Sequence, residues 1–161
     1  MTTTTACRVN SATNMDGIKI SLFEKDDRPS LVQIEAEEFS TPFKEKDFVS
    51  IYESDISNVL VARVNGTVVG YVSFTVIIDE CQIINFATKN HFKRQGVGKS
   101  VMEALFKHCE KLGVVKYFLE VRVSNLGAIE LYKKYGFVPV GISKRHFSHP
   151  VEDAILMNLE L

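Results

Sequence analysis

A short glycine-containing loop joins a strand-like segment to an amphipathic helical pattern, and this junction restricts the fold more than any other feature of the chain. The strand-like segment, residues 81–88, is followed by Gly96-Val97-Gly98 and then by a helical pattern over residues 98–112. Glycine lets the backbone turn tightly and approach a ligand without interference from a Cβ. The first N–H groups of a helix have no partner within the helix, and the helix dipole makes that end partly positive. The junction therefore predicts a site for a phosphate group.

The glycine motif does not by itself identify the ligand. It matches neither the Walker loop GxxxxGK[ST] nor the dinucleotide fingerprint GxGxxG. Two glycines at this spacing also occur at an ordinary helix start. Lys93, Arg94 and Lys99 would add positive charge at this end of the helix, so the rest of the chain has to decide between the two interpretations.

Hydrophobic periodicity predicts an alternation of strands and helices along the chain. Asn65-Gly66 is a strong hairpin signal between two strand-like runs, so we expect the first strands to pair antiparallel. The predicted order is β-α-α-β-β-β-α-β-α-β-β, with strands near residues 18–22, 59–64, 67–78, 81–88, 117–123, 137–142 and 153–159 and helices near residues 29–38, 44–53, 98–112 and 126–135. This order predicts an α/β (α+β) fold in which helices flank a mixed, mostly antiparallel central sheet.

Two of these elements have distinct inner and outer faces. The residues expected on the buried face of the helix over residues 98–112 are Val101, Leu105, Cys109 and Leu112. In the strand at residues 117–123, the alternation separates an apolar side from a side that carries Phe118, Glu120 and Arg122. Glutamate is depleted in strands, so Glu120 is a candidate functional residue. The ordinary alternative is that Glu120 pairs with a lysine or arginine on a neighbouring strand.

Length, charge and cysteine content fit one soluble domain. The chain has 161 residues and a formal net charge of −1, so it can bury a core without disulfides or metals and is not expected to attract nucleic acid or membranes. Residues 1–16 are polar and lack periodicity, which predicts a disordered tail before a single domain over residues 17–161. Cys7, Cys81 and Cys109 have no zinc-site spacing and are expected to be reduced thiols of a cytoplasmic protein. The four histidines are too scattered to predict a metal site, and no spacing indicates covalent catalysis.

The loop and the element order resemble the GNAT superfamily of acetyltransferases, whose pyrophosphate loop reads [Gln/Arg]-x-x-Gly-x-[Gly/Ala] between a strand and a helix. Residues 93–98 fit this pattern except at Lys93, and the resemblance extends over residues 17–161. It implies an acetyl-CoA-dependent N-acetyltransferase whose loop holds the pyrophosphate of coenzyme A, mostly through backbone N–H groups. The cofactor-binding residues that it implies in the loop are Lys93, Arg94, Gln95, Gly96, Val97, Gly98 and Lys99.

A second block of residues is more specific: Leu119-Glu120-Val121-Arg122-Val123-Ser124-Asn125, followed by Leu131-Tyr132 and Tyr135-Gly136-Phe137. It resembles the bacterial ribosomal-protein-alanine N-acetyltransferases (RimI) and the related protein N-terminal acetyltransferases. The resemblance implies that Glu120 is the general base and that Tyr132 contacts the cofactor and protonates the leaving thiolate. The further cofactor contacts that it implies are Phe86, Ala87, Thr88 and Asn125, and the substrate contacts are Phe43, Glu120, His146 and Phe147.

The chemistry of amine acetylation fits a protein N-terminus as the acceptor. An amine attacks a thioester only when it is neutral. An α-amino group with a pKa near 8 is roughly one-tenth neutral at pH 7, which costs about 1.4 kcal/mol, whereas a lysine with a pKa near 10.4 faces about 4.6 kcal/mol. An N-terminal acceptor therefore needs only modest help, which one carboxylate can supply directly or through water.

The segment before the last strand, residues 144–150, is predicted to be a loop and departs from the N-terminal acetyltransferases. These usually have Asn-Tyr-Tyr where this chain has Arg145-His146-Phe147. Those tyrosines help to clamp the N-terminus of the substrate, so a lysine side chain or a small amine stays open as the acceptor. A non-catalytic acyl-CoA-binding domain is a third alternative, against which Glu120 and Tyr132 argue. The expected partners are acetyl-CoA and the amine, and the expected assembly is a monomer or a homodimer.

Overall fold

The computed structural model describes the backbone of residues 12–13 and the whole of residues 17–161. Its helices are α1 (Arg28–Glu38), α2 (Glu45–Glu53), α3 (Val97–Lys111) and α4 (Leu126–Lys134), and its strands are β1 (Ala12–Thr13), β2 (Ile18–Leu22), β3 (Ser57–Val64), β4 (Thr67–Ile77), β5 (Glu80–Thr88), β6 (Lys116–Arg122), β7 (Val138–Phe147) and β8 (Glu152–Glu160). From β2 onward this order confirms the predicted one. The predicted disordered tail lies outside the described residues apart from β1, which the sequence did not predict.

The eight strands form one sheet in the order β1-β2-β3-β4-β5-β6-β8-β7. Neighbouring strands are antiparallel except β5 and β6, whose parallel pairing covers only residues 80–82 against residues 116–118. On its other side β5 stays paired with β4 as far as Thr88, and β6 stays paired with β8 as far as Arg122. The sheet therefore opens between β5 and β6 while each strand stays paired with its other neighbour.

A β-bulge in β5 lies at the start of this opening. Ser73 of β4 pairs with Asn85 and Phe74 pairs with Ile83, which leaves Ile84 as an additional residue on β5. A bulge bends its strand and increases the local twist. The bulge thus accounts for the divergence of β5 from β6 after their short parallel pairing.

Each face of the sheet has its own apolar core. Along β3, Leu60 packs in the core under α3 and α4, whereas Val59 and Val61 pack in the core under α1 and α2. Leu105 of α3 and Phe48 of α2 are fully buried in these two cores. Burial of a side chain of this size stabilises the fold by about 1.5–3 kcal/mol, so helices on both sides fix the position of the central strands.

The predicted buried face of α3 is confirmed for all but its last position. Val101, Leu105 and Cys109 are buried, and Cys109 and Cys81 are free thiols within the core. Leu112 is 52% exposed, so its predicted burial is wrong. The reason is that α3 ends one residue earlier and Leu112 forms its cap.

The predicted loop over residues 144–150 is also wrong in its first half, because β7 extends as far as Phe147. Ser143 of β7 pairs with Ala154 of β8, and Phe147 pairs with Glu152. Between these two pairs, β7 therefore advances by four residues while β8 advances by only two. This bulge of two additional residues lets a polar segment continue as a strand.

Candidate active site

The opening between β5 and β6 contains a cavity of about 250 Å³. Both strands supply walls, and the connection between α1 and α2, the start of α4 and the end of β7 complete them. The residues predicted for the site that line this cavity are Phe43, Phe86, Glu120, Asn125, Tyr132 and Phe147. The fold thus brings together side chains that come from five separate parts of the chain.

Glu120 reaches the cavity from the side of β6 opposite to the buried residues Leu119 and Val121. Its side chain is 43% exposed, and its Oε2 lies 2.7 Å from Nε2 of His146. Nδ1 of His146 lies 3.2 Å from Oγ of Ser143. The partner of Glu120 is therefore a histidine of β7. A carboxylate that is partly exposed and bonded through one oxygen can accept a proton from an amine.

Tyr132 lies on α4, which Asn125 caps by accepting a hydrogen bond from the backbone N of Ala128 at 3.3 Å. The ring packs edge to face on Phe86 and on Phe137, with centroid distances of 6.0 and 5.7 Å. Burial raises the pKa of Tyr132 above its ordinary value. The hydroxyl therefore stays protonated at neutral pH and can act as a proton donor.

The loop before α3 has the backbone that a phosphate-binding helix start requires. Gly96 caps the helix with a left-handed φ of 88°, and its carbonyl accepts the first helical hydrogen bond, from Ser100 N at 3.0 Å. The N–H groups of residues 97–99 precede that bond and have no acceptor within the helix. A Cβ built on Gly96 would meet no atom within 4 Å, so there is open space beside this helix start, whose N–H groups would attract an anion.

Gly98 links this helix start to the cavity. A Cβ built on Gly98 would lie 3.4 Å from Leu131 of α4 and 3.6 Å from Phe86 of β5. Phe86 in turn packs on Tyr132. Because α3, β5 and α4 meet at this point, the helix start and the cavity are adjoining parts of one site.

Lys93 forms an ion pair with Glu38, whose Oε1 lies 2.7 Å from the Nζ of the lysine. Glu38 is the last residue of α1 and lines the cavity. The pair joins the loop before α3 to α1. Part of the positive charge predicted for this loop is therefore neutralised by a carboxylate of the same site.

Glu35 of α1 is completely buried beside the cavity and fixes one of its walls. Its Oε2 accepts a hydrogen bond from the backbone N of Phe43 at 3.0 Å, and its Oε1 accepts one from Nδ2 of Asn85 at 2.7 Å. The hydroxyl of Tyr71 also donates to Oε1. These donors provide the partners that a buried carboxylate needs, and they tie the connection between α1 and α2 to β4 and β5.

Arg122 joins two segments of the chain at another side of the cavity. Its Nη1 donates to Oε1 of Glu152 at 3.0 Å and to the carbonyl of Pro150 at 3.1 Å. Its Nη2 donates to Oγ of Ser40 at 3.2 Å, and its guanidinium lies over the ring of Phe147. One side chain of β6 thus joins the connection between α1 and α2 to the turn between β7 and β8.

Three further predicted site residues lie outside the lining of the cavity. His146 does not line it but bonds to Glu120, and Ala87 and Thr88 lie further along β5 towards the loop. Within residues 17–161, no group of three or more His, Cys, Asp or Glu side chains is arranged to hold a metal ion. No helix in the described part of the chain is long and apolar enough to cross a membrane.

Known proteins are similar to this chain in sequence and in fold. Residues 28–137 match the model of the acetyltransferase (GNAT) family. The ribosomal protein bS18-alanine N-acetyltransferase of Escherichia coli (strain K12) is 34% identical over 144 residues, which cover 88% of this chain and 97% of that enzyme.

Two solved structures superimpose closely on the fold. The ribosomal-protein-S18-alanine N-acetyltransferase from Escherichia coli has a TM-score of 0.81 and 33% identity, covering 89% of this chain and 93% of its own. Ard1 from Thermoplasma volcanium has a TM-score of 0.81 and 28% identity, covering 89% of this chain and 97% of its own.

Proposed function

The chain belongs to the acetyltransferase (GNAT) family, and we propose that it transfers the acetyl group of acetyl-CoA to the N-terminal α-amino group of a protein. The observation that carries this proposal is that Glu120 and Tyr132 line one cavity that adjoins the glycine-containing start of α3. Similarity to the bS18-alanine N-acetyltransferase over 88% of the chain supports a protein N-terminus as the acceptor.

The donor side of the proposed site is formed by β5, α3 and α4. When bound, acetyl-CoA supplies a thioester carbonyl that an amine can attack. Residues 93–99 would hold its pyrophosphate, chiefly through the N–H groups at the start of α3. Residues 86–88 of β5, beyond the short pairing with β6, would offer backbone groups to the pantetheine, and Asn125 and Tyr132 would complete this side.

In the proposed reaction, Glu120 and Tyr132 act on opposite ends of one displacement. Glu120 removes a proton from the attacking amine, directly or through one water. As the C–N bond forms and the C–S bond breaks, Tyr132 donates its proton to the leaving sulfur. Burial keeps this hydroxyl protonated at neutral pH, which the role of a proton donor requires. Phe43 and Phe147 would present apolar surface to the first residues of the acceptor.

Thiol release from acetyl-CoA with a matched set of acceptors tests the proposal. The set contains a peptide with a free N-terminal alanine, the same peptide N-terminally blocked and carrying one lysine, and a small polyamine. We expect release with the free alanine peptide at a rate at least about tenfold above the others, because the α-amino group costs about 3 kcal/mol less to deprotonate than lysine. Faster release with the blocked lysine peptide or the polyamine would contradict the proposed acceptor. Binding of acetyl-CoA without turnover of any amine would favour a non-catalytic acyl-CoA-binding domain.

A further inference from the structure

The side chain of His146 is hydrogen-bonded at both ring nitrogens. Nε2 lies 2.7 Å from Oε2 of Glu120, and Nδ1 lies 3.2 Å from Oγ of Ser143. The family resemblance implies that His146 contacts the substrate, in a segment where the N-terminal acetyltransferases usually have clamping tyrosines. Because both nitrogens have partners inside the protein, a hydrogen bond from this ring to a substrate would require one of the two bonds to break.

The backbone of β7 is shaped to bring these groups together. Residues three positions apart on a regular strand point to opposite faces of the sheet. Ser143 and His146 have this spacing and nevertheless touch, because the bulge of two additional residues lies between Ser143 and Phe147. Arg145 has a left-handed φ of 53°, and its backbone N donates to Oδ1 of Asp153 at 2.8 Å. Bulges commonly re-aim a side chain next to an active site.

We propose that His146 is a positioning residue for Glu120 and that Ser143 fixes the tautomer of its ring. The inference rests on the proposed function, in which Glu120 is the base. In the neutral ring, Nε2–H donates to Oε2 of Glu120 and the hydroxyl of Ser143 donates to Nδ1. The contact fixes the rotation of the carboxylate and leaves Oε1 as the oxygen that receives the proton of the acceptor amine.

A serine, a histidine and a carboxylate in one hydrogen-bonded chain are also the parts of a nucleophilic triad. Here the order relative to the cavity is reversed, because Glu120 lines the cavity and Ser143 does not. In this series of hydrogen bonds, the group that meets the substrate is therefore the carboxylate of Glu120. Ser143 supports it from the outer side of the ring.

Steady-state kinetics of His146→Phe and His146→Gln with the free alanine peptide test the inference. We expect His146→Phe to lower kcat by roughly 10- to 100-fold, within the range of general-base catalysis, while the KM for peptide and for acetyl-CoA stay within about twofold. His146→Gln should recover about tenfold of that loss, because its amide can donate to Glu120. Lys144→Gln is the matched control on the same strand, since the Lys144 side chain is 81% exposed, and we expect it to retain wild-type kcat.

Two kinetic outcomes would overturn the inference. A higher KM for peptide with unchanged kcat would make His146 a substrate clamp, because uniform binding acts on KM alone. If His146→Phe and His146→Gln lose kcat to the same extent and also lose the same amount of melting temperature, the role of His146 is structural. Recovery by glutamine without a change in KM distinguishes positioning from both of these roles.

Nitrogen NMR of the His146 ring separates this inference from the proposed function, because it requires no turnover. We expect the Nε2–H tautomer in the wild type and a shift of the Nε2 resonance in Glu120→Gln, with no shift in Lys144→Gln. If the wild type acetylates no peptide but the resonance responds to Glu120, the acceptor assignment fails and the contact stands. An Nε2 resonance that does not respond to Glu120→Gln would refute the positioning role even in an active enzyme.

Discussion

The guanidinium carbon of Arg122 lies 4.4 Å from the centroid of the Phe147 ring, at the edge of the cavity. Stacking uses the face of the guanidinium and leaves its N–H groups in the plane for hydrogen bonds. Those groups reach Ser40 on one side and Glu152 on the other. The two walls of the proposed acceptor region are thus held by one side chain, whereas the proposed donor side consists of β5, α3 and α4.

Replacement of Arg122 by lysine should weaken acceptor binding without affecting the donor. Lysine has neither the flat face for stacking nor the planar set of N–H groups. We expect the KM for peptide to rise about tenfold, equivalent to about 1.4 kcal/mol, and the KM for acetyl-CoA to change little in steady-state assays. Arg63→Lys is a suitable control. Arg63 does not line the cavity, and its Nη1 lies 2.6 Å from Oδ1 of Asp27. An equal rise in both KM values for Arg122→Lys would contradict the separation of the two sides.

Removal of the Tyr132 hydroxyl should slow the chemical step alone. Tyr132→Phe keeps the ring that packs on Phe86 and Phe137 but cannot donate a proton to sulfur. We expect kcat to fall about 100-fold, while the dissociation constant for acetyl-CoA, measured by calorimetry, stays within about twofold. Tyr135→Phe, on the residue that follows α4, serves as the control and should leave kcat unchanged. Wild-type kcat in Tyr132→Phe would exclude the tyrosine as the acid.

A carboxylate at Gly96 should prevent donor binding. Gly96→Ala isolates the effect of the backbone, since a φ of 88° disfavours any Cβ and should cost about 1–2 kcal/mol of stability. Gly96→Asp adds a negative charge where the pyrophosphate is proposed to lie. We expect at least tenfold weaker acetyl-CoA binding than in Gly96→Ala, which is about 1.4 kcal/mol. Equal affinities in the two variants, measured by calorimetry, would disprove the assignment of the loop.

Loss of the buried carboxylate of Glu35 should destabilise the fold. In Glu35→Ala the hydrogen-bond donors of Phe43, Tyr71 and Asn85 lose their acceptor in a buried place. We expect the free energy of unfolding to fall by about 3 kcal/mol in urea titrations. Glu37→Ala removes an exposed carboxylate from the same helix and should change it by less than about 0.5 kcal/mol. Similar values for the two variants would show that the buried network contributes little.

Glu152 should make stability depend on pH in the acid range. Hydrogen bonds from Ser124, and then the guanidinium of Arg122, hold the pKa of Glu152 below its ordinary value of 4.5. The folded state therefore binds this proton less tightly than the unfolded state. The stabilisation is present above about pH 4.5 and is lost as the pH falls through the lower, folded-state pKa. Melting temperatures should differ between wild type and Glu152→Gln at neutral pH, and the difference should shrink below about pH 4.5. A difference that does not vary with pH, or one matched by Glu160→Gln on the same strand, would argue against this linkage.

Local patterns were sufficient to predict the element order and the placement of Glu120. Periods of about 3.6 and of 2 residues report which side of a helix or strand is buried, and α3 and β6 follow these periods closely. The resemblance to GNAT enzymes then assigned Glu120 and Tyr132 to the same site as the loop before α3, although both residues are distant from that loop in the sequence. The cavity places these two residues together.

Contacts between distant segments could not be predicted in the same way. Glu35 bonds to Asn85, 50 residues away, and Arg122 bonds to Ser40, 82 residues away. Glu35 shares a helix face with the buried residues Leu31 and Ile34, but no local pattern shows that Tyr71 and Asn85 donate to its carboxylate. The extension of β7 was missed because its end is polar, and only the pairing with β8 and the bulge around Arg145 keep it extended.

Among the described strands, β7 stands at the end of the sheet and pairs with β8 alone. Changes in its length or in its bulge leave the register of the other strands intact, because an edge strand transmits no pairing beyond itself. The central strands β5 and β6 have no such freedom. An insertion or deletion in β7 would therefore alter the proposed acceptor side of the cavity without disturbing the strand pairing of β5 on the proposed donor side.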